Sequence, residues 1–89
     1  MQIKLLPQEC EGTYKFNGQI VYTRGIESEF GDLVFKLIAD TIQLLKPLIF
    51  ENKADYLQVV IAELENGRKI KVWIIDNASH ITFLLPSEY

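Results

Sequence analysis

Between Tyr56 and Leu85 apolar residues recur in three short runs, and in each run both alternate sets of positions carry them. The runs Tyr56–Glu65, Arg68–Ile75 and His80–Leu85 are separated by Asn66-Gly67 and by Asp76-Asn77-Ala78-Ser79, so they read as three antiparallel strands. Upstream the period changes. Phe30, Val34, Leu37, Ile38, Thr41 and Leu45 recur at helical spacing, with Leu33 and Ile42 widening the stripe. Ser28 is the expected N-cap, and Glu29 and Asp32 suit the positive end of the helix dipole. Pro47 disfavours helical geometry in the residue before it. The pattern predicts a helix over about 28–46, with Leu48-Ile49-Phe50 as a short extension and a polar loop from Glu51 to Asp55.

The N-terminal pattern is shorter. Ile3–Leu6 reads as a strand ended by Pro7. Thr13–Phe16 and Gln19–Thr23 flank Asn17-Gly18, a dipeptide suited to a tight hairpin turn. The expectation is an α+β fold in the order β-β-α-β-β-β: a single amphipathic helix packed on a mostly antiparallel sheet, with residues 1–89 as one domain.

Taking Asn66-Gly67 as a two-residue turn sets a register in which Glu65 faces Arg68, Ile61 faces Val72 and Val59 faces Ile74. One face then carries Leu57, Val59, Ile61, Ile70, Val72 and Ile74, joined by Ile81, Phe83 and Leu85, and is the expected core. The other carries Tyr56, Gln58, Val60, Ala62 and Leu64, then Lys69, Lys71, Trp73 and Ile75, then His80, Thr82 and Leu84. A sheet packed on one side ordinarily shows a polar second face, and this one does not. Either another part of the chain covers it (the N-terminal strands, residues 48–50 or the C-terminal tail), or it meets a partner. The candidate partner-binding residues are Tyr56, Val60, Lys71, Trp73, Ile75 and His80.

Charge narrows the partner. Twelve acids against nine bases give a formal charge of −3, which disfavours a chain that grips nucleic-acid backbone over its whole surface. A local alternative keeps Trp73 and Tyr56 as stacking platforms, with Lys69 and Lys71 on phosphates of a single strand; it ranks below a protein partner. Self-association, as a homodimer or structural subunit, is a further alternative. Hydrophobic residues make up 48% of the chain, the balance of a folded domain, and no apolar run of membrane-spanning length occurs. With no export signal either, a cytoplasmic protein is expected.

Catalytic chemistry has little to stand on. His80 is the only histidine and Cys10 the only cysteine, and Glu9 and Glu11 beside Cys10 disfavour its thiolate. One His and one Cys are too few for zinc, the aspartates lack calcium-loop spacing, and the glycines form no phosphate loop. The expectation is a non-enzymatic chain with no metal or cofactor.

Three segments in order carry a resemblance: Tyr22-Thr23-Arg24-Gly25-Ile26, Asp55-Tyr56-Leu57-Gln58-Val59 and Pro86-Ser87-Glu88-Tyr89. The chain resembles, over residues 20–89, a family of small uncharacterised proteins from Gram-positive bacteria and their phages. The resemblance brings no activity with it. It implies a phage or mobile-element origin, where small acidic domains act as inhibitors or regulators of host proteins, defence machinery among them.

Overall fold

The computed structural model describes all 89 residues. Thr23, in extended conformation, accepts the Ile26 N–H on its hydroxyl oxygen (3.4 Å) and opens helix α1, Arg24–Phe30. Gly31, at φ 51°, interrupts the ladder, and a single 3₁₀ turn over Gly31–Leu33 passes the chain into α2, Val34–Phe50. The two pieces present one apolar stripe: Ile26, Phe30, Val34, Leu37, Thr41 and Leu45 are buried, in steps of three and four residues. The helix therefore starts ahead of Ser28 and runs past Pro47. Pro47 sits in the last turn, where its missing N–H costs a single bond. The helix ends where Asn52 turns left-handed (φ 58°) and the Lys53 N–H returns to the Leu48 carbonyl at 2.9 Å.

Five strands form one sheet: β1 (Gln2–Leu5), β2 (Gln19–Tyr22), β3 (Leu57–Glu63), β4 (Lys69–Asp76) and β5 (His80–Leu84), in the spatial order β1-β3-β4-β5-β2. All pairings are antiparallel except β2 with β5. The expected fold class and element order hold. The expected N-terminal hairpin does not: residues 13–16 form no strand, and β2 pairs in parallel with β5 on the far edge from β1.

What separates β1 from β2 is a segment that crosses one end of the sheet. Gln8 bonds to the Lys53 carbonyl, and the Gly12 and Tyr14 N–H groups reach the carbonyls of Lys53 and Ala54. Phe16 is then buried with φ 47°, and its N–H donates to Asp76 Oδ2 at 2.9 Å. The other Asp76 oxygen accepts the Ala78 N–H at 2.8 Å, so this buried carboxylate ties the crossing segment to the β4–β5 turn. These bonds override the local preference of Asn17-Gly18 for a hairpin.

The β3–β4 turn changes the faces. The Leu64 N–H bonds to the Arg68 carbonyl (2.8 Å) and the Gly67 N–H to the Leu64 carbonyl (2.9 Å), which leaves a three-residue loop, Glu65-Asn66-Gly67. Gly67 takes φ 86°, the left-handed position of a type I turn with a bulge, and Asn66 Oδ1 accepts the Arg68 N–H (3.0 Å). One extra loop residue moves the register by one. Val60 faces Val72, Ala62 faces Ile70 and Val59 faces Trp73. A slip of one residue sends every side chain of a strand to the opposite face. The helix-facing side of β3 is Gln58, Val60 and Ala62, all buried, while Leu57, Val59 and Ile61 lie on the other side, half-buried. On β4 and β5 the expected core residues Ile70, Val72, Ile74, Ile81 and Phe83 are all buried against the helix.

Candidate docking face

The sheet surface away from the helix can be built row by row from the pairings. Lys4, Ile61 and Lys71 stand side by side across β1, β3 and β4. Leu6, whose N–H bonds to the Val59 carbonyl (2.9 Å), continues β1 to the next row, which runs on through Val59 and Trp73 to Leu84. Leu57, Ile75 and Thr82 form the row after that. The outcome is an apolar centre with Trp73 in it, and Lys4, Lys69 and Lys71 at one end, all exposed and none in an ion pair.

A cleft of about 430 Å³ opens on this face. Trp73, Val59 and Leu57 form its floor, Lys71 and Tyr56 its ends, and the chain from Leu6 to Cys10 its wall. A second hollow, lined by Lys4, Ile61, Glu63 and Lys69, extends it toward the other end of the strands. Gln8 holds the wall in place. Its Oε1 accepts the Asp55 N–H (3.0 Å) and the Gln58 Nε2 (2.7 Å), and its Nε2 donates to the Lys53 carbonyl (2.6 Å). Gln58 donates also to the Asp55 carbonyl at 3.1 Å, so this buried amide serves the wall from within the core.

The C-terminal tail reaches the same face. Residues Pro86–Glu88 form a 3₁₀ turn, after which the Tyr89 ring meets Trp73 edge-on, centroids 5.5 Å apart. The turn is anchored by Glu88, whose Oε1 accepts the Thr23 hydroxyl (2.6 Å) and the Leu85 N–H (2.8 Å), and whose Oε2 accepts the Gly25 N–H (3.0 Å). These bonds, the Thr23 hydroxyl foremost, hold the Glu88 carboxyl below the usual glutamate range. A Cβ on residue 25 would lie 2.6 Å from the Glu88 carboxyl carbon, so only glycine admits this approach. The Thr-Arg-Gly-Ile and Pro-Ser-Glu-Tyr segments are thus two halves of one contact. Tyr89 itself is 80% exposed and covers only the edge of Trp73.

Of the six expected partner-binding residues, Tyr56, Lys71 and Trp73 line the cleft, and Ile75 is half-buried on the same face beside Leu57. Val60 is a correction: the three-residue turn places it in the core, fully buried opposite Val72. His80 stands apart at the β4–β5 turn, with Nδ1 2.9 Å from the Ser79 hydroxyl, and does not line the cleft. Leu57, Val59 and Ile61 take the place of Val60. The wall from Leu6 to Cys10 was not anticipated; its one sequence signal is Pro7, which ends β1 beneath two consecutive leucines.

No helix is long and apolar enough to cross a membrane. No family model, curated protein or solved structure matches the chain.

Proposed function

We propose that this chain is a small non-enzymatic interaction module that regulates or inhibits another protein by docking through its open sheet face. The observation that carries the reading is Trp73: a half-buried indole in an apolar row, on the floor of a cleft, with unpaired lysines toward one end of the face and the acidic Glu9 and Asp55 toward the other. Aromatic anchors inside a polar rim are the usual anatomy of a protein contact. Trp73→Ala and Tyr56→Ala, each checked for retained fold by circular dichroism, are expected to abolish partner capture from a lysate of the source cells. Unchanged capture by both folded variants would refute the reading.

A second reading, single-stranded nucleic acid, is favoured by the same cleft, where Trp73 and Tyr56 stand with Lys71. Glu9 and Asp55 on the cleft rim oppose it, because they would repel phosphate. Titration of Trp73 fluorescence with single-stranded oligonucleotides at low salt decides the matter. Quenching that fades with added salt supports nucleic acid, and the absence of quenching removes it.

A further inference from the structure

We propose that this face also takes a second copy of the chain, closed on it face to face about a two-fold axis, so that self-pairing and docking on another protein exclude one another. The inference rests on the reading of the open face as a docking surface and adds a second copy as an occupant of it. An isologous contact requires a patch that complements itself when the two ends are exchanged. This face has that property. Along β4, Lys69 stands four residues from Trp73; along the β3 chain, Asp55 stands four residues from Val59, in the opposite direction from that row. At strand rise each lies about 13 Å from the central row. Glu9 flanks the acidic end on the cleft wall, and Lys4 and Lys71 flank the basic end.

The charges balance as well as the distances. Lys4, Lys69 and Lys71 with Glu63 leave the basic end at +2, and Glu9 with Asp55 set the other end at −2. None of these six side chains is in an ion pair within the chain. A two-fold axis lying across the strands at the Val59–Trp73 row exchanges the ends. It sets each basic end over the partner copy's acidic end and lays apolar centre on apolar centre. A second copy supplies both signs in the right places, whereas a nucleic acid would meet the acidic end unfavourably. Leu84 is buried, so β1, β3 and β4 carry the open part of the face; three strands wide and about 26 Å long, it offers on the order of 300 Å² per copy, a small interface that forms and separates quickly.

Sedimentation velocity on the full chain, from about 10 µM to about 1 mM in low salt, is expected to show reversible dimerisation that weakens as salt is added. Lys69→Glu/Lys71→Glu makes both ends acidic, and Glu9→Lys/Asp55→Lys makes both basic. Each variant alone is expected to self-associate at least about tenfold more weakly, and their equimolar mixture to form a one-to-one heterodimer. Should Asp55→Lys fail to fold, Glu9→Lys/Cys10→Lys alters the same end through two exposed side chains. A wild-type chain that stays monomeric throughout, or folded variants that fail to pair when mixed, overturns the proposal. A monomeric wild type that still loses captured protein on Trp73→Ala would overturn self-pairing alone and leave the docking reading standing.

Discussion

Val59 stands directly opposite Trp73 on the open face of the sheet. The Asp76 N–H bonds to the Tyr56 carbonyl and the Leu64 N–H to the Arg68 carbonyl, so hydrogen-bonded pairs fall at even-numbered positions of the β3 chain. Val59 and Trp73 are therefore a non-hydrogen-bonded pair, with Cα atoms about 4.5 Å apart. That pairing decides which half of β3 lies on the open face of the sheet.

A strong nuclear Overhauser effect is accordingly expected between the Hα protons of Val59 and Trp73, and none between those of Val60 and Trp73. Energetics should follow the same division. Val60→Ala, which empties a fully buried site, should cost about 2 kcal/mol in urea denaturation, while Val59→Ala on the open face should cost less than about 1 kcal/mol.

Gln8 joins the cleft wall to the core through Asp55 and Gln58. Gln8→Ala leaves the Asp55 N–H without its partner and deprives the buried Gln58 amide of one acceptor, at a cost of about 1–3 kcal/mol. Hydrogen exchange should quicken at Asp55 while the β4 and β5 amides keep their protection. Uniform acceleration across the sheet would contradict this role for the wall.

Glu88 should give stability a pH dependence of known sign. Its carboxyl is held below the usual range in the folded chain, so its contribution is complete above the ordinary glutamate pKa. It is then lost as the pH falls through the lower folded-state value. Glu88→Gln should thus melt below the wild type at about pH 7, with the gap closing toward about pH 2. Glu65, lowered by its hydrogen bond to the N-terminal ammonium and by that group's charge, shares the acid window and keeps the variant from becoming pH-independent. A gap of constant size across the titration would rule out the proposed capping contact.

Tyr89 touches only the edge of the single tryptophan. Tyr89→Ala should shift Trp73 emission to longer wavelength, because the indole gains water, and should leave the melting temperature almost unchanged. An unshifted spectrum would mean that the ring does not rest there in solution.

Local pattern was a good guide where local forces decide. The helical stripe from Phe30 to Leu45 and the core residues of β4 and β5 are evident from period alone, because each element is amphipathic in its own right. Three features depend on partners far away in the chain. The Asn66-Gly67 pair permits a two- or a three-residue loop, and the choice lies with packing: Val60 and Ala62 fill the space beneath the helix, and Leu57, Val59 and Ile61 are left outside. Asn17-Gly18 has hairpin chemistry, yet the Phe16 N–H reaches Asp76, sixty residues on, and β2 joins β5 instead. The early helix start has, besides its local Thr23 cap, the support of Glu88, sixty-five residues from Thr23. Of the open face and its cleft, Trp73, Ile75, Lys71 and Tyr56 were apparent, because the parity of β4 does not depend on the turn and Tyr56 lies ahead of β3. Val60 was misplaced because β3 parity does depend on it.

The claim that this face is the one partners meet is tested most directly by site-specific photocrosslinking. A benzophenone side chain placed at Ile61, on the open face, or at Phe35, 73% exposed on the helix, would be irradiated in a lysate of the source cells. Discrete adducts from Ile61 that vanish with Trp73→Ala, and none specific to Phe35, are the predicted result. Adducts that form from Phe35 alone, or that survive Trp73→Ala, would contradict it.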